Sequence, residues 1–219
     1  MRPSILGLLF VLATACTGIP EGITPVKGFE PDRYLGKWYE IARLDHSFER
    51  GLDRCTAEYS RRRDGGLSVK NRGWSTSKQA WTEAEGVAYF IDAPDEAWLR
   101  VSFFGPFFGS YIVFDLDREG YRYAFVASYS KSYLWLLSRT PTVDEALRRR
   151  FVETARSLGY DTESLIWVAH EPDPVQRSSP LPVRPASDQR MRSTRSLRAS
   201  APRARAREVS IPARRPPAF

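Results

Sequence analysis

Eight short β-type runs, each closed by turn chemistry, fill the chain from Lys37 to Ser138. They read 37–46, 55–63, 67–75, 81–90, 98–104, 111–116, 121–129 and 133–138. Among the breaks are Asp64-Gly65-Gly66, a tight hairpin signal, then Asp92-Ala93-Pro94-Asp95, Gly105-Pro106, Asp117-Arg118-Glu119-Gly120 and Ser130-Lys131-Ser132. Links this short join neighbouring antiparallel strands. Eight such strands close an up-and-down barrel, and that number leaves an interior able to hold one small ligand. The expected class is therefore all-β.

Parity adds a contact that the chain order conceals. If the first strand starts at the bottom of the barrel, the eighth must end there, beside it. Trp38 and Arg139 are thereby brought together. A guanidinium over an indole contributes about 0.5 to 2 kcal/mol, and its remaining donors can satisfy carbonyls of the entering turn. The same parity places Arg139 outside the cup, so its expected role is structural rather than ligand binding. After the barrel, Thr142-Val143-Asp144-Glu145 reads as a capping box, and Leu147, Phe151, Ala155 and Leu158 form one apolar stripe before Gly159. This predicts one C-terminal α-helix, packed on the barrel wall by its apolar face. Leu165 to Ala169 adds a short final strand.

The chain ends differ from this middle. Arg2, the apolar run Ile5–Leu12 and the small residues Ala13-Thr14-Ala15 have the layout of a secretory leader, and the run is too short to span a bilayer. Small residues ending at Cys16 resemble a lipobox, in which that cysteine becomes the acylated N-terminus; an ordinary leader cut nearby, with Cys16 left as a thiol, is the alternative. Residues 1–15 are thus expected as a lipoprotein signal peptide and Cys16 as the lipid anchor. Several acyl chains, at roughly 0.8 kcal/mol per buried methylene, hold a protein to a membrane far more firmly than one. Thr17 is not the aspartate that retains lipoproteins at an inner membrane in enterobacteria-like sorting, which favours the outer membrane. Residues 16–30, rich in Gly and Pro, read as a tether that lets a domain over 31–172 stand off the surface.

The formal charge of +7 suggests nucleic acid only until it is located. Residues 173–219 carry 11 arginines and three acids, so the rest of the chain sits near −1. A near-neutral domain asks for no polyanionic partner, and no nucleic acid is expected. The Arg/Pro-rich tail has no apolar period and is expected to be disordered, either a ligand for anionic lipid headgroups or an extension without function. Cys55 is the second of two cysteines and, with Cys16 lipidated, has no disulfide partner.

Four stretches in order carry a family resemblance: Arg33-Tyr34-Leu35-Gly36-Lys37-Trp38-Tyr39-Glu40-Ile41-Ala42-Arg43, Phe48-Glu49-Arg50-Gly51-Leu52, Val101-Ser102-Phe103-Phe104-Gly105-Pro106-Phe107, and Tyr133-Leu134-Trp135-Leu136-Leu137-Ser138-Arg139-Thr140-Pro141. Over roughly Phe29 to Glu171 the chain resembles the lipocalins, and among them the apolipoprotein D-like bacterial outer-membrane lipoproteins. The resemblance implies a closed end sealed by Gly36, Trp38 and Arg139. It also implies a cup that binds a fatty acid or lysophospholipid at the envelope in membrane maintenance, as store or carrier, with no cofactor and no metal. Whether two copies pair as a homodimer is left open.

Matching by family and strand alternation selects Tyr133, Trp135 and Leu137 on the eighth strand as inward-facing. It likewise selects Tyr111 on the sixth, Val101 and Phe103 on the fifth, Asn71 on the third and Tyr59 on the second. Such a lining suits an acyl chain, with Asn71 and the tyrosine hydroxyls available to a polar head; plain core packing is the alternative for each ring. Parity puts the link Phe103–Gly109 at the open mouth, where Phe107 and Phe108 either border the entrance and touch membrane lipid or fold inward. Enzymatic chemistry finds little support: two histidines, His46 and His170, lie far apart in sequence, without metal-ligand spacing or a nucleophile elbow. Glu40 shares Trp38's inward parity and is the carboxylate to watch. A lipocalin-fold enzyme acting on a lipid and an envelope scaffold acting through its tail are the competing functions.

Overall fold

The computed structural model describes residues 17–170; the leader, Cys16 and the tail over 173–219 lie outside the described residues. A one-turn helix α1 (Pro31–Tyr34) leads into β1 (Gly36–Arg43), β2 (Leu52–Arg61), β3 (Leu67–Ser75), β4 (Ala80–Phe90), β5 (Trp98–Phe104), β6 (Phe107–Leu116), β7 (Tyr123–Ala127) and β8 (Leu134–Ser138). Helix α2 (Glu145–Ser157), a 3-10 turn (Thr162–Ser164) and β9 (Ile166–Trp167) follow. Each strand pairs antiparallel with the next, and β1 pairs with both β8 and β2, which closes the eight into a barrel. β9 is bonded outside the cylinder, to Ala42 and Arg43 of β1.

Several expected boundaries shift by one to three residues, and two further changes bear on the site. β6 begins at Phe107 rather than 111, so the turn between β5 and β6 is only Gly105-Pro106, joined by a cis peptide bond. α2 is capped by Asp144, whose carboxylate accepts the Leu147 N–H at 2.8 Å, not by Thr142. Aspartate caps as well as threonine, and placing the cap at Asp144 puts Phe151 and Ala155 on the barrel side.

The side chains divide into two apolar layers. Inside the barrel lie Trp38, Tyr59, Val69, Leu99, Val113, Val126 and Leu137. Between barrel and helix lie Ile41, Ile112, Phe125, Leu134, Leu136, Phe151 and Ala155. The rings of Phe151 and Phe125 meet edge to face, 4.9 Å apart, and a buried ring of this kind contributes about 1.5 to 3 kcal/mol.

Residues 17–30 do not form the expected free tether. Ile23, Val26 and Phe29 are buried, and Ile19 packs on the helix-side layer. Val26 donates its N–H to the Val113 carbonyl at 2.9 Å and accepts from Ala97 at 2.9 Å, so the segment is stitched between β5 and β6. The segment is rich in Gly and Pro, yet its apolar residues recur every three or four positions. Burying them offsets the chain entropy that the composition alone advertises.

Candidate ligand-binding site

Exposure rises from one end to the other along the inward faces of β4, β5, β6 and β8, while Glu40 and Arg43 of β1, Gly73 and Ser75 of β3, and Ala124 and Val126 of β7 stay buried. Tyr59, Ala88, Leu99, Val113 and Leu137 are buried near one end of the barrel. Further along the same faces Ala57, Gly86, Val101, Tyr111 and Trp135 are half-buried, and Ala84 of β4, opposite Asn71, is exposed. This gradient is that of a cup closed at one end and open at the other. The residues anticipated for its lining fall into three places. Tyr59, Val101, Phe103, Tyr111 and Trp135 all belong to or pack on the interior cluster. Asn71 shares its face with buried Val69 and faces Ala57 across the β2–β3 ladder, and its buried side-chain oxygen has no hydrogen-bond partner among the described residues. Tyr133 lies at the rim, its ring 6.1 Å from Trp135 and 5.7 Å from His46. Gly86 makes room for Phe103: a Cβ there would stand 2.6 Å from the Ser102 carbonyl and 2.8 Å from the Phe103 ring.

The floor is built from tyrosines. Tyr111 Oη lies 2.7 Å from Tyr34 Oη and accepts from Tyr59 Oη at 2.8 Å. Burial pushes all three phenols up, so they stay neutral. Their hydroxyls are engaged with one another rather than held open for a ligand head, which leaves the Asn71 amide as the polar group of the lining without such a commitment. Beneath the floor the Arg139 guanidinium stands 3.9 Å from the centre of the Trp38 ring. It donates to the carbonyls of Arg33 at 2.7 Å, Lys37 at 2.9 Å and Tyr121 at 3.2 Å, tying the entering turn to β8 and to the β6–β7 connection. Gly36, at φ +87°, turns the chain from α1 into β1 in the left-handed region that L side chains disfavour.

A buried charged group near the mouth was not anticipated as a unit. β1 carries a bulge between Glu40 and Ala42, which inserts one residue into the alternation and turns Arg43 inward beside the already inward Glu40. Arg43 donates to Glu40 Oε1 at 2.5 Å and to the carbonyls of Leu52 at 2.8 Å and Glu49 at 3.3 Å. Glu49, from the β1–β2 loop, accepts from Trp135 Nε1 at 3.1 Å, and its Oε2 is 2.9 Å from His46 Nε2. Burial and the Glu49 charge push the Glu40 carboxyl above the usual range, with Arg43 pulling against them. Burial also works to raise Glu49, but His46, Trp135 and Arg43 hold it below that range. Burial, followed by the two carboxylates, pushes the Cys55 thiol up. Both terminal nitrogens of Arg43 are therefore committed to protein groups, and only its buried Nε has no partner among the described residues. Alternation alone gives Glu40 its inward parity but sends Arg43 outward; only the bulge corrects this. Glu49 sits in a loop and carries no periodic signal.

The lipocalin-like domain family matches residues 29–170 of this chain. The chain belongs to the lipocalin family. The outer membrane lipoprotein Blc of Vibrio cholerae is 56% identical over 171 residues, covering 78% of this lipocalin and 100% of that protein. Its namesake in Citrobacter freundii is 47% identical over 165 residues, covering 75% of this lipocalin and 93% of its own length. Insecticyanin from the tobacco hornworm Manduca sexta superposes with a TM-score of 0.55 at 21% identity, over 70% of this lipocalin and 87% of that chain. At that identity the likeness concerns the barrel alone.

Proposed function

We propose that this lipocalin holds a fatty acid or lysophospholipid in its cup, at the outer membrane of a bacterium, attached there by acyl chains on Cys16. The observation that carries the reading is the gradient from buried floor to half-buried upper lining, made of apolar and aromatic side chains. An acyl chain in such a cup gains roughly 0.8 kcal/mol for each methylene withdrawn from water. The polar head of the ligand lies toward the mouth, where the buried Asn71 Oδ1, an acceptor for a ligand hydroxyl, has no hydrogen-bond partner among the described residues. The lipoprotein names of the two relatives support the envelope address and the anchor, and the role is storage or transport of lipid in membrane maintenance.

Native mass spectrometry with lipid extraction on the chain from Thr17 to Phe219 tests this, followed by titration of fatty acids and lysophospholipids against tryptophan fluorescence. Saturable one-to-one binding is expected, with the fluorescence response lost in Trp135→Ala. An empty protein that gives no titration response overturns the reading, and turnover of an added lipid would replace it with an enzymatic one.

A further inference from the structure

The large hydrophobic residues left exposed among the described residues are not scattered. They are Phe48, Phe104, Phe107, Tyr129, Ile166 and Trp167, and four of the six sit at the open end. Phe48 is in the β1–β2 loop, and Phe104 and Phe107 flank the β5–β6 turn at 79% and 73% exposure. Tyr129 is in the β7–β8 connection. Phe108, by contrast, lies on the outer wall against Arg100 and Tyr89, while Phe103 turns into the cup.

Just outside the same rim, Trp74 and Trp81 pair at the top of β3 and β4, 5.5 Å apart, with Arg54 and Arg72 over their rings. Tryptophan and arginine together suit the headgroup layer of a bilayer, where a ring and a cation each find their solvent. The charges of the loops follow the same division. The mouth loops carry Arg50, Lys78 and Lys131 against one exposed acid, Asp45, which Arg50 pairs at 2.6 Å. The closed-end connections carry Asp64, Asp92, Asp95, Glu96, Asp117 and Glu119 against Arg62, Arg63, Arg118 and Arg122, an excess of two acids where the mouth loops have an excess of basic groups.

The N-terminal strap of residues 17–30 supplies the second, independent observation. It starts at the closed end, where Phe29 donates to the Asp95 carbonyl at 2.8 Å, and runs back along the wall past Val26. Near the mouth, Lys131 Nζ donates to the Glu21 carbonyl at 2.7 Å and Ser110 Oγ to the Thr17 carbonyl at 3.2 Å. Ser110 is three residues along β6 from Phe107, about 10 Å at the rise of a strand. Thr17, the first described residue, therefore lies toward the open end and not at the floor.

We propose that the open end of the barrel is a docking face for a phospholipid bilayer, and that the folded strap, by bringing the acylated Cys16 to that end, holds the cup mouth-down on the membrane. Phe104 and Phe107 enter the acyl region, Trp74 and Trp81 lie at the headgroups, and lipid passes between bilayer and cup without crossing water. The strap's part in this rests on Cys16 being the anchor.

The test uses the full acylated protein in vesicles of phosphatidylcholine and phosphatidylglycerol. A fluorophore sensitive to polarity is attached at Phe107→Cys or, as the closed-end control, Asp92→Cys; Cys55 is buried, with its thiol pushed up, and does not compete for label. Emission from the probe at 107 is expected to shift to the blue and to be quenched by lipids bearing a nitroxide on the acyl chain, while the probe at 92 does neither. Equal quenching at both positions, or none at 107 in protein that co-floats with the vesicles, overturns the proposal. Phe104→Ser with Phe107→Ser, both outside the core, should slow uptake of a fluorescent fatty acid from vesicles severalfold and leave its affinity in solution unchanged. Uptake as fast as in the unmodified protein also counts against the docking face. If the cup reading fails instead, neither protein binds the fatty acid in solution while the probe contrast persists. If the anchor reading fails, the intact mass shows an unacylated Cys16, and absence of 107-specific quenching on vesicle addition then overturns the docking face as well.

Discussion

Replacing Arg43 by methionine tests whether the buried charges near the mouth act as one unit. The substitution keeps the volume of the stem and removes only the guanidinium. Glu40, 4% exposed, loses a partner at 2.5 Å, and the carbonyls of Leu52 and Glu49 lose their donors. Removing one member of a buried ion pair costs about 3 to 5 kcal/mol, because the remaining charge stays uncompensated. With a urea slope of about 2 kcal/mol per M, the unfolding midpoint should fall by about 2 M. The cost must also depend on pH. Burial already raises Glu40 in the folded protein, and without Arg43 nothing offsets that push. A carboxyl raised above its unfolded value favours folding most when protonated, and stability falls as pH rises through the folded value. The deficit of Arg43→Met against the parent should therefore narrow as pH is lowered from about 8 to about 5. Glu40→Gln with Arg43→Met should regain about half of the loss and show a much weaker pH dependence. Urea titrations at several pH values decide the matter: a cost of Arg43→Met below about 1 kcal/mol, or one flat across pH, would refute an uncompensated Glu40.

Other outcomes follow from the floor and the thiol. Arg139→Ala should lower stability by about 2 to 3 kcal/mol, the stacking on Trp38 plus donors to carbonyls that water partly replaces; Arg139→Lys should regain less than half, since an ammonium cannot serve three carbonyls and the ring at once. Thermal unfolding reads both, and an unchanged Tm for Arg139→Ala would remove the latch from the closed end. Tyr111→Phe deletes the central hydroxyl of the floor and should cost about 1 to 3 kcal/mol by leaving Tyr34 and Tyr59 short of a partner, whereas Tyr133→Phe, at the rim, should cost much less. Cys55 should react with a thiol reagent at pH 8 only as fast as the protein opens; immediate reaction in the native state would contradict its burial.

Much of the barrel is legible in the sequence. Turn signals are local: Asp64-Gly65-Gly66 and Gly105-Pro106 break strands because of what those residues do to their own backbone, and seven breaks between eight short runs leave few alternatives to a closed up-and-down sheet. Alternation is local as well, so inward faces such as Tyr111 with Val113, or Trp135 with Leu137, follow from a period of two. Parity then carries Arg139 to Trp38 across a hundred positions because an even number of antiparallel strands returns to its starting end.

What escaped is what depends on interruption of the period or on a distant surface. One extra residue at the β1 bulge turns Arg43 from wall to interior, and whether a bulge forms is decided by the register that β8 imposes, which no property of Tyr39-Glu40-Ile41-Ala42 announces. The segment 17–30 has the composition of a linker, and its burial depends on a groove between β5 and β6 that exists only once the barrel has closed. The exposed rings belong to the same class: the run from Phe103 to Phe108 shows that the link is aromatic, but which rings turn in, which lie on the wall and which stand free is settled by the tight turn at Gly105-Pro106. Sequence alone determined the number, order and direction of the strands, because hairpins and alternation are written in neighbouring residues. Tertiary structure decided the charge cluster, the path of the N-terminal strap and the face of the barrel that its first described residue reaches, because those rest on contacts between residues far apart in the chain.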